Sequence, residues 1–200
     1  MGTGESGSRR PPDRRRWFPL PDFLGIGAMR AGTSWLAEHL AKHPEISMPR
    51  KEIHFFNRRF DRQLIPLLPR SVEARMRYRA RFVGAGLSGR LTGEFTPAYA
   101  LLDPDRIATV HEWMPRARLL FIMRDPVDRA WSQAKHDYAG WLGRDAATAP
   151  EEELRAFFAR PRVQQRADYA TSLENWLRCF DRGQLFMTFL EHVKADPAPV

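Results

Sequence analysis

The 200-residue sequence has a single cysteine, Cys179, so an internal disulfide is excluded, and its six histidines form no Cys/His cluster at ligand spacing, so no metal site is expected. A reducing compartment is therefore permitted. Long apolar runs are missing as well. The strongest, Leu119 to Met123, is far below the roughly 20 residues that span a bilayer, and the charged N-terminus MGTGESGSRRPPDRRR is not followed by the apolar segment of a secretory signal. The expectation is a cytoplasmic protein with no membrane span. Lysine is scarce: of 32 basic residues only Lys42, Lys51, Lys135 and Lys194 are lysines and 28 are arginines. That bias can reflect genome composition, so a count of arginines carries little weight. With no base-stacking motif to accompany the charge, nucleic acid is not an expected partner.

What is present suits one compact domain of mixed helix and strand: 43% hydrophobic and 28% charged residues, with a formal net charge of +8 that favours anionic ligands. Residues 1–21 are expected to form a disordered basic tail and 22–200 the folded domain. FLGIG followed by SWLAEHLAKH reads as strand, glycine turn and helix, the helix ending at His43 because a residue before proline leaves the α region. Residues 51–63 read as a short strand or turn and then a loop, 71–83 as an exposed helix, and LTGEFTPAY as a segment broken at Pro97. Residues 104–113 read as a helix, and Arg118 to Pro126 as the clearest strand, apolar throughout between charges. Helices over 127–138, EEELRAFFA and 173–180 and a last strand QLFMTF complete an alternating βα order, which implies a parallel sheet.

Gly27-Ala28-Met29-Arg30-Ala31-Gly32-Thr33-Ser34 lies at the first strand-to-helix junction, where backbone N–H groups can cradle a phosphate. A Walker A loop would pair Gly27 with Gly32 but requires lysine where Thr33 stands, which weakens a kinase or ATPase reading. The cation in the loop is Arg30.

Four segments in register resemble the sulfotransferases that use 3'-phosphoadenosine 5'-phosphosulfate. GAMRAGTSWL resembles their 5'-phosphosulfate loop. KEIHFF and GEFTPAY resemble two segments of the heparan sulfate type and many bacterial relatives, LLFIMRDPVDRAWS the 3'-phosphate segment, and ADYATSLENWLRCF a later helix. The resemblance implies an α/β, P-loop-type parallel sheet flanked by helices, and sulfuryl transfer to a hydroxyl of a small molecule or glycan, with a carbohydrate or glycolipid favoured. It implies no metal. Arg30, Ala31, Gly32, Thr33 and Ser34 would hold the 5'-phosphosulfate, and Arg124 and Ser132 the 3'-phosphate. Arg30 stands where the family has a lysine, and an arginine supplies charge and a hydrogen-bond fork but no proton. Glu52 matches the general base; His54, two residues on, would share its side if the segment is extended, and is the second catalytic candidate, able to share or replace the base role. Glu94 stands where the family has Glu-Lys, here Glu94-Phe95. It is either a second, substrate-binding carboxylate in the cleft or a support for the strand and the Pro97 turn. Phe55, Phe56 and Tyr99 either line an acceptor cleft or pack the core.

The family usually continues for some tens of residues beyond the strand matching QLFMTF, into a basic glycine-rich loop over the cofactor, so the domain is expected to be short at its C-terminus. Completion of the site by a second copy, as in a homo-oligomer, follows as an expectation. A nucleotide-binding remnant without turnover is the alternative reading, and a P-loop kinase another.

Overall fold

The computed structural model describes residues 19–48, 51–57 and 72–195. The tail expected over 1–21 lies outside the described residues except for 19–21, as do the loop expected after residue 57 and residues 196–200. Among the described residues five strands and the helices between them run β1 (Phe23–Gly27), α1 (Thr33–Lys42), β2 (Ile46–Ser47), α2 (Val72–Arg79), α3 (Val83–Leu87), β3 (Leu91–Phe95) and α4 (Pro104–Trp113). There follow β4 (Arg118–Met123), α5 (Pro126–Asp137), α6 (Glu151–Phe158), α7 (Pro161–Gln165), α8 (Tyr169–Leu177), β5 (Leu185–Phe189) and α9 (Leu190–Ala195). The boundaries have local causes. α1 stops at His43, held extended (φ −68°, ψ 129°) by Pro44. α4 starts with Pro104 behind an Asp103 side chain that accepts from the Arg106 N–H at 2.9 Å.

All strand pairings are parallel and the order is β2-β3-β1-β4-β5. Each face of the sheet carries its own core. Leu24, Ile26, Leu119 and Phe121 bury one face with Ile107 and Val110 of α4 and Trp176 of α8, each large side chain contributing roughly 1.5–3 kcal/mol by burial. Phe23 and Phe95 bury the other face against Ala37 of α1. Across β1 and β3 two pairs interlock: Phe23 lies opposite Gly93 and Gly25 opposite Phe95. A Cβ at either glycine would stand 2.0 Å from the facing ring.

The helix expected to be exposed, α2, buries Ala74 and Tyr78. Its surface arginines mask the two positions that anchor it. The short β2 was not expected, because two residues after a proline turn carry no periodicity.

The chain leaves β1 toward β3 and β2, and leaves β4 toward β5. The crevice beyond the carboxyl ends of β1 and β4 is thus the point where strand order reverses, the usual place for a ligand in an open parallel sheet.

Candidate active site

The β1 end comes first. The pairing of β1 with β4 shifts register between Gly25 and Gly27, and the Ala28 N–H donates to Ile122 O at 2.8 Å, tying the start of the loop to the neighbouring strand. Gly32 adopts a left-handed conformation (φ 82°) directly before α1, and a Cβ there would lie 2.6 Å from Leu190 Cδ1. No side chain caps α1 and no acid stands in its first turn. Its first N–H groups, which have no partner within the helix, and the positive end of its dipole are left to an anion.

Arg124 follows β4 directly. Its carbonyl accepts from Tyr169 OH at 2.9 Å, its Nη2 lies 3.4 Å from Asp128 Oδ2, and its buried Nε has no hydrogen-bond partner among the described residues. A buried guanidinium N–H without an acceptor is what a bound anion would satisfy. α5 then begins behind Asp125, whose carboxylate accepts from the Val127 and Asp128 N–H groups at 2.9 and 3.0 Å. Ser132 sits on the cavity side of α5, and its Oγ accepts from Arg30 Nε at 3.3 Å.

The segment after Lys51 is not extended, so the expected reason for Glu52 and His54 sharing a side is corrected. Both residues are left-handed (φ 56° and 54°), and with Arg30 (φ 66°) they are the non-glycine residues of positive φ among the described residues. Such backbone costs about 1–3 kcal/mol per residue and persists only where neighbours enforce it. The neighbours here are the turn after β3: Glu52 N–H donates to Phe95 O at 2.7 Å, His54 N–H to Thr96 Oγ1 at 3.5 Å, and Phe55 N–H to Tyr99 OH at 3.0 Å. The two side chains nevertheless meet, His54 Nε2 lying 3.5 Å from Glu52 Oε2. The other imidazole nitrogen contacts the Asn57 side-chain amide at 3.1 Å. Lys51 Nζ lies 3.4 Å from Glu52 Oε1.

Glu94 is in neither cleft nor solvent. It is 0% exposed and does not line the cavity, so the expectation that it contacts substrate gives way to the supporting role. Its carboxylate accepts from Tyr78 OH, from Tyr99 OH at 3.1 Å and from Thr96 Oγ1 at 3.0 Å. Burial outweighs these bonds and raises its pKa from 4.5 to about 7, while both phenols are pushed up by burial and by the Glu94 charge. Thr96 and Tyr99 are the same two hydroxyls that hold the His54 and Phe55 N–H groups. Glu94 thus orients the acceptors of the strained turn. Phe55 and Phe56 pack with Tyr78 and Trp113, and Tyr99 packs against Phe56, rather than forming a cleft wall.

A cavity of about 810 Å³ gathers Arg30, Gly32, Thr33, Ser34, Glu52, His54, Arg124 and Ser132, a volume in the range of small-ligand sites. Ala31 is the exception in the loop: it is fully buried, and its N–H donates to Ala28 O at 3.3 Å, so it offers the cavity no donor. Sequence reasoning missed Arg166, which lines the cavity with a buried Nε that has no partner among the described residues, and Trp141, 84% exposed at the rim. It also missed Lys51, whose Nζ donates to Ser34 Oγ at 2.5 Å. Lys51 had a visible signal in KEIHFF; the other two lie in segments whose path the pattern does not specify.

Residues 20–200 match the family model of the sulfotransferase domain. Among curated proteins, heparan sulfate glucosamine 3-O-sulfotransferase 6 of Mus musculus is 31% identical over 196 residues, covering 94% of this chain and 51% of the relative. The chain spans about half the length of the curated relatives it matches. Among solved structures, a sulfotransferase from Alicyclobacillus acidocaldarius aligns with a TM-score of 0.62 and 29% identity, covering 90% of this chain and 76% of that one. The sulfotransferase domain of the Synechococcus PCC 7002 olefin synthase shares the fold, with a TM-score of 0.53 and 18% identity over 94% of this chain and 72% of that one.

Proposed function

The chain belongs to the sulfotransferase domain family, and from that premise we propose that it moves a sulfuryl group from 3'-phosphoadenosine 5'-phosphosulfate to a hydroxyl of a carbohydrate acceptor. The observation that carries the reading is convergence: a helix N-terminus and a buried arginine N–H that have no side-chain partner among the described residues, and a carboxylate beside an imidazole, all face one cavity. The first two suit the two phosphates of the donor and the third the acceptor hydroxyl. The glycan acceptor is supported by the likeness to the heparan sulfate enzyme.

In this reading the donor supplies an activated sulfuryl group, and the protein positions it and offsets charge. Gly32, Thr33 and Ser34 offer backbone and hydroxyl donors to the 5'-phosphate. Arg124 and Ser132 hold the 3'-phosphate, and Arg30, bonded to Ser132, adds charge between the two. Glu52 takes the acceptor proton as the oxygen attacks sulfur, and His54, 3.5 Å from its carboxylate, orients it.

The test is calorimetry with the desulfated nucleotide, 3'-phosphoadenosine 5'-phosphate, against ADP, followed by incubation with labelled donor and a heparan-type oligosaccharide. Preferred binding of the 3'-phosphorylated nucleotide and transfer of label to the sugar are expected. Binding without transfer to any hydroxyl acceptor would make the chain a nucleotide-binding remnant, and a preference for ADP would overturn the reading.

A further inference from the structure

α5 brings Ser132 to the cavity, and the wall continues past it. Farther along the same helix Gln133, His136 and Asp137 line the cavity, and the turn that follows adds Trp141. That turn, Tyr138–Leu142, is π-helical and closes with the Gly143 N–H donating to Tyr138 O. An α-helix rotates about 100° per residue, so a continued α5 would set residue 141 about 180° around from Ser132, on the far side. The wider π turn swings it back toward the cavity face, and single π turns of this kind are frequent at functional sites. The turn is held from behind: Tyr138 is buried, its ring 5.7 Å from that of Phe157 on α6, with the Arg144 guanidinium 5.2 Å over it. A large apolar ring is thus fixed at its backbone, aimed along a cavity wall and left bare.

The polar groups beside the ring are set in advance. Arg129 is fully buried and donates from Nη1 to Gln133 Oε1 at 2.9 Å and from Nη2 to Val163 O at 3.0 Å. With its oxygen so engaged, the Gln133 amide donates to Asp137 Oδ2 at 3.3 Å, and His136 Nδ1 lies 3.1 Å from Asp137 Oδ1. A carboxylate has about four lone-pair sites, so Asp137 keeps acceptors for hydroxyl donors. Arg166 lines the same cavity and supplies donors, its buried Nε having no partner among the described residues. A flat aromatic face flanked by an acceptor and a donor matches the two sides of a sugar, C–H bonds on the face of the ring and hydroxyls on its edge. Resting on the functional reading above, we infer that this wall is an acceptor subsite, in which Trp141 stacks on the C–H face of an acceptor sugar ring while Asp137 and Arg166 take its hydroxyls. The carboxylate favours hydroxyls over a sulfate at this ring, since a second anion there would meet like charge. Trp141 lies nine positions beyond Ser132, roughly 12 Å along the helix axis from the β4 end, so it sets affinity for the acceptor and leaves the donor's phosphates alone.

The experiment titrates the full chain, saturated with adenosine 3',5'-bisphosphate, with an unsulfated hexasaccharide of the heparan backbone by calorimetry, in parallel with Trp141→Ala, Trp141→Tyr and Trp141→Leu. Trp141→Ala is expected to weaken the oligosaccharide about tenfold, the scale of one aromatic anchor, and to leave nucleotide affinity within about twofold. Trp141→Tyr, which keeps a ring face, is expected to recover most of that loss, and Trp141→Leu little of it. Unchanged oligosaccharide affinity in Trp141→Ala overturns the inference, and so does equal recovery by leucine, which marks a merely apolar contact. A loss of nucleotide affinity in Trp141→Ala overturns it too, by assigning the ring to the donor's base, as does a nucleotide-loaded wild type that binds no oligosaccharide. If the unsubstituted chain shows no preference for 3'-phosphorylated nucleotides over ADP, the functional reading itself falls, and this inference with it.

Discussion

β1 and β4 lie side by side, and each feeds a helix into the same cavity, yet they prepare it for an anion by opposite means. At the end of β1 the backbone does the work: Gly32 turns left-handed, and α1 begins with neither cap nor acid. At the end of β4 the helix N-terminus is already complemented, by the Asp125 cap and by Asp128 in the first turn. What remains for a ligand there is side chain, the Arg124 fork and the Ser132 hydroxyl. One strand end is therefore sensitive to conformation and the other to residue identity.

The largest expected effect breaks the side-chain half. Arg124→Ala should lower affinity for 3'-phosphoadenosine 5'-phosphate by about 100-fold, roughly two charge-assisted hydrogen bonds, as read by calorimetry; a loss under threefold would put the two strand ends on the same footing. A third strand end, that of β3, sharpens the contrast, because its charge is buried instead of offered. Glu94 faces Tyr78, Thr96 and Tyr99, with the Arg81 charge acting on it. Its folded pKa, about 7, lies above its ordinary 4.5, so the folded state binds this proton more tightly than the unfolded one. The stabilisation is complete below pH 4.5 and is lost as pH rises through 7. Chemical denaturation of wild type and Glu94→Gln should therefore show the wild type losing up to about 3 kcal/mol relative to the variant across that window. A constant difference would refute the buried titration.

Next comes the conformational half. Gly32→Ala should destabilise the fold by about 2 kcal/mol, since an L-residue pays for left-handed backbone and its Cβ meets Leu190; nucleotide affinity should fall with it, and an unaltered melt would remove glycine's special status. The smallest effect is expected for Asp125→Ala, about 1 kcal/mol of stability from the lost cap, with nucleotide affinity within a factor of two. A large affinity loss there would mean that the cap, and not Arg124, governs the β4 end.

Much of this was legible because it rests on local rules. The turn at Gly32, the stop at His43-Pro44, the buried run of β4 and the placement of Arg124 and Ser132 on consecutive elements all follow from spacing, and the family likeness supplied the roles. What was not legible depends on contacts between distant segments. Glu94 reads like a cleft carboxylate until the three hydroxyls from residues 78, 96 and 99 are seen around it. Glu52 and His54 come together through left-handed backbone fixed by the β3 turn, which no periodicity encodes. Lys51 stands in the KEIHFF segment, but only folding carries it to Ser34, 17 positions away in sequence.

The interlocked rings and glycines of β1 and β3 have a consequence for register and substitution. Phe23 with Gly93, and Gly25 with Phe95, are matched as key and keyway. A slip of two residues, the smallest that keeps the same side chains facing inward, would set Phe23 against Phe95 and jam. The same matching couples the four positions: a side chain at residue 25 or 93 fits only where the facing ring has been reduced, so neither glycine is free to change on its own.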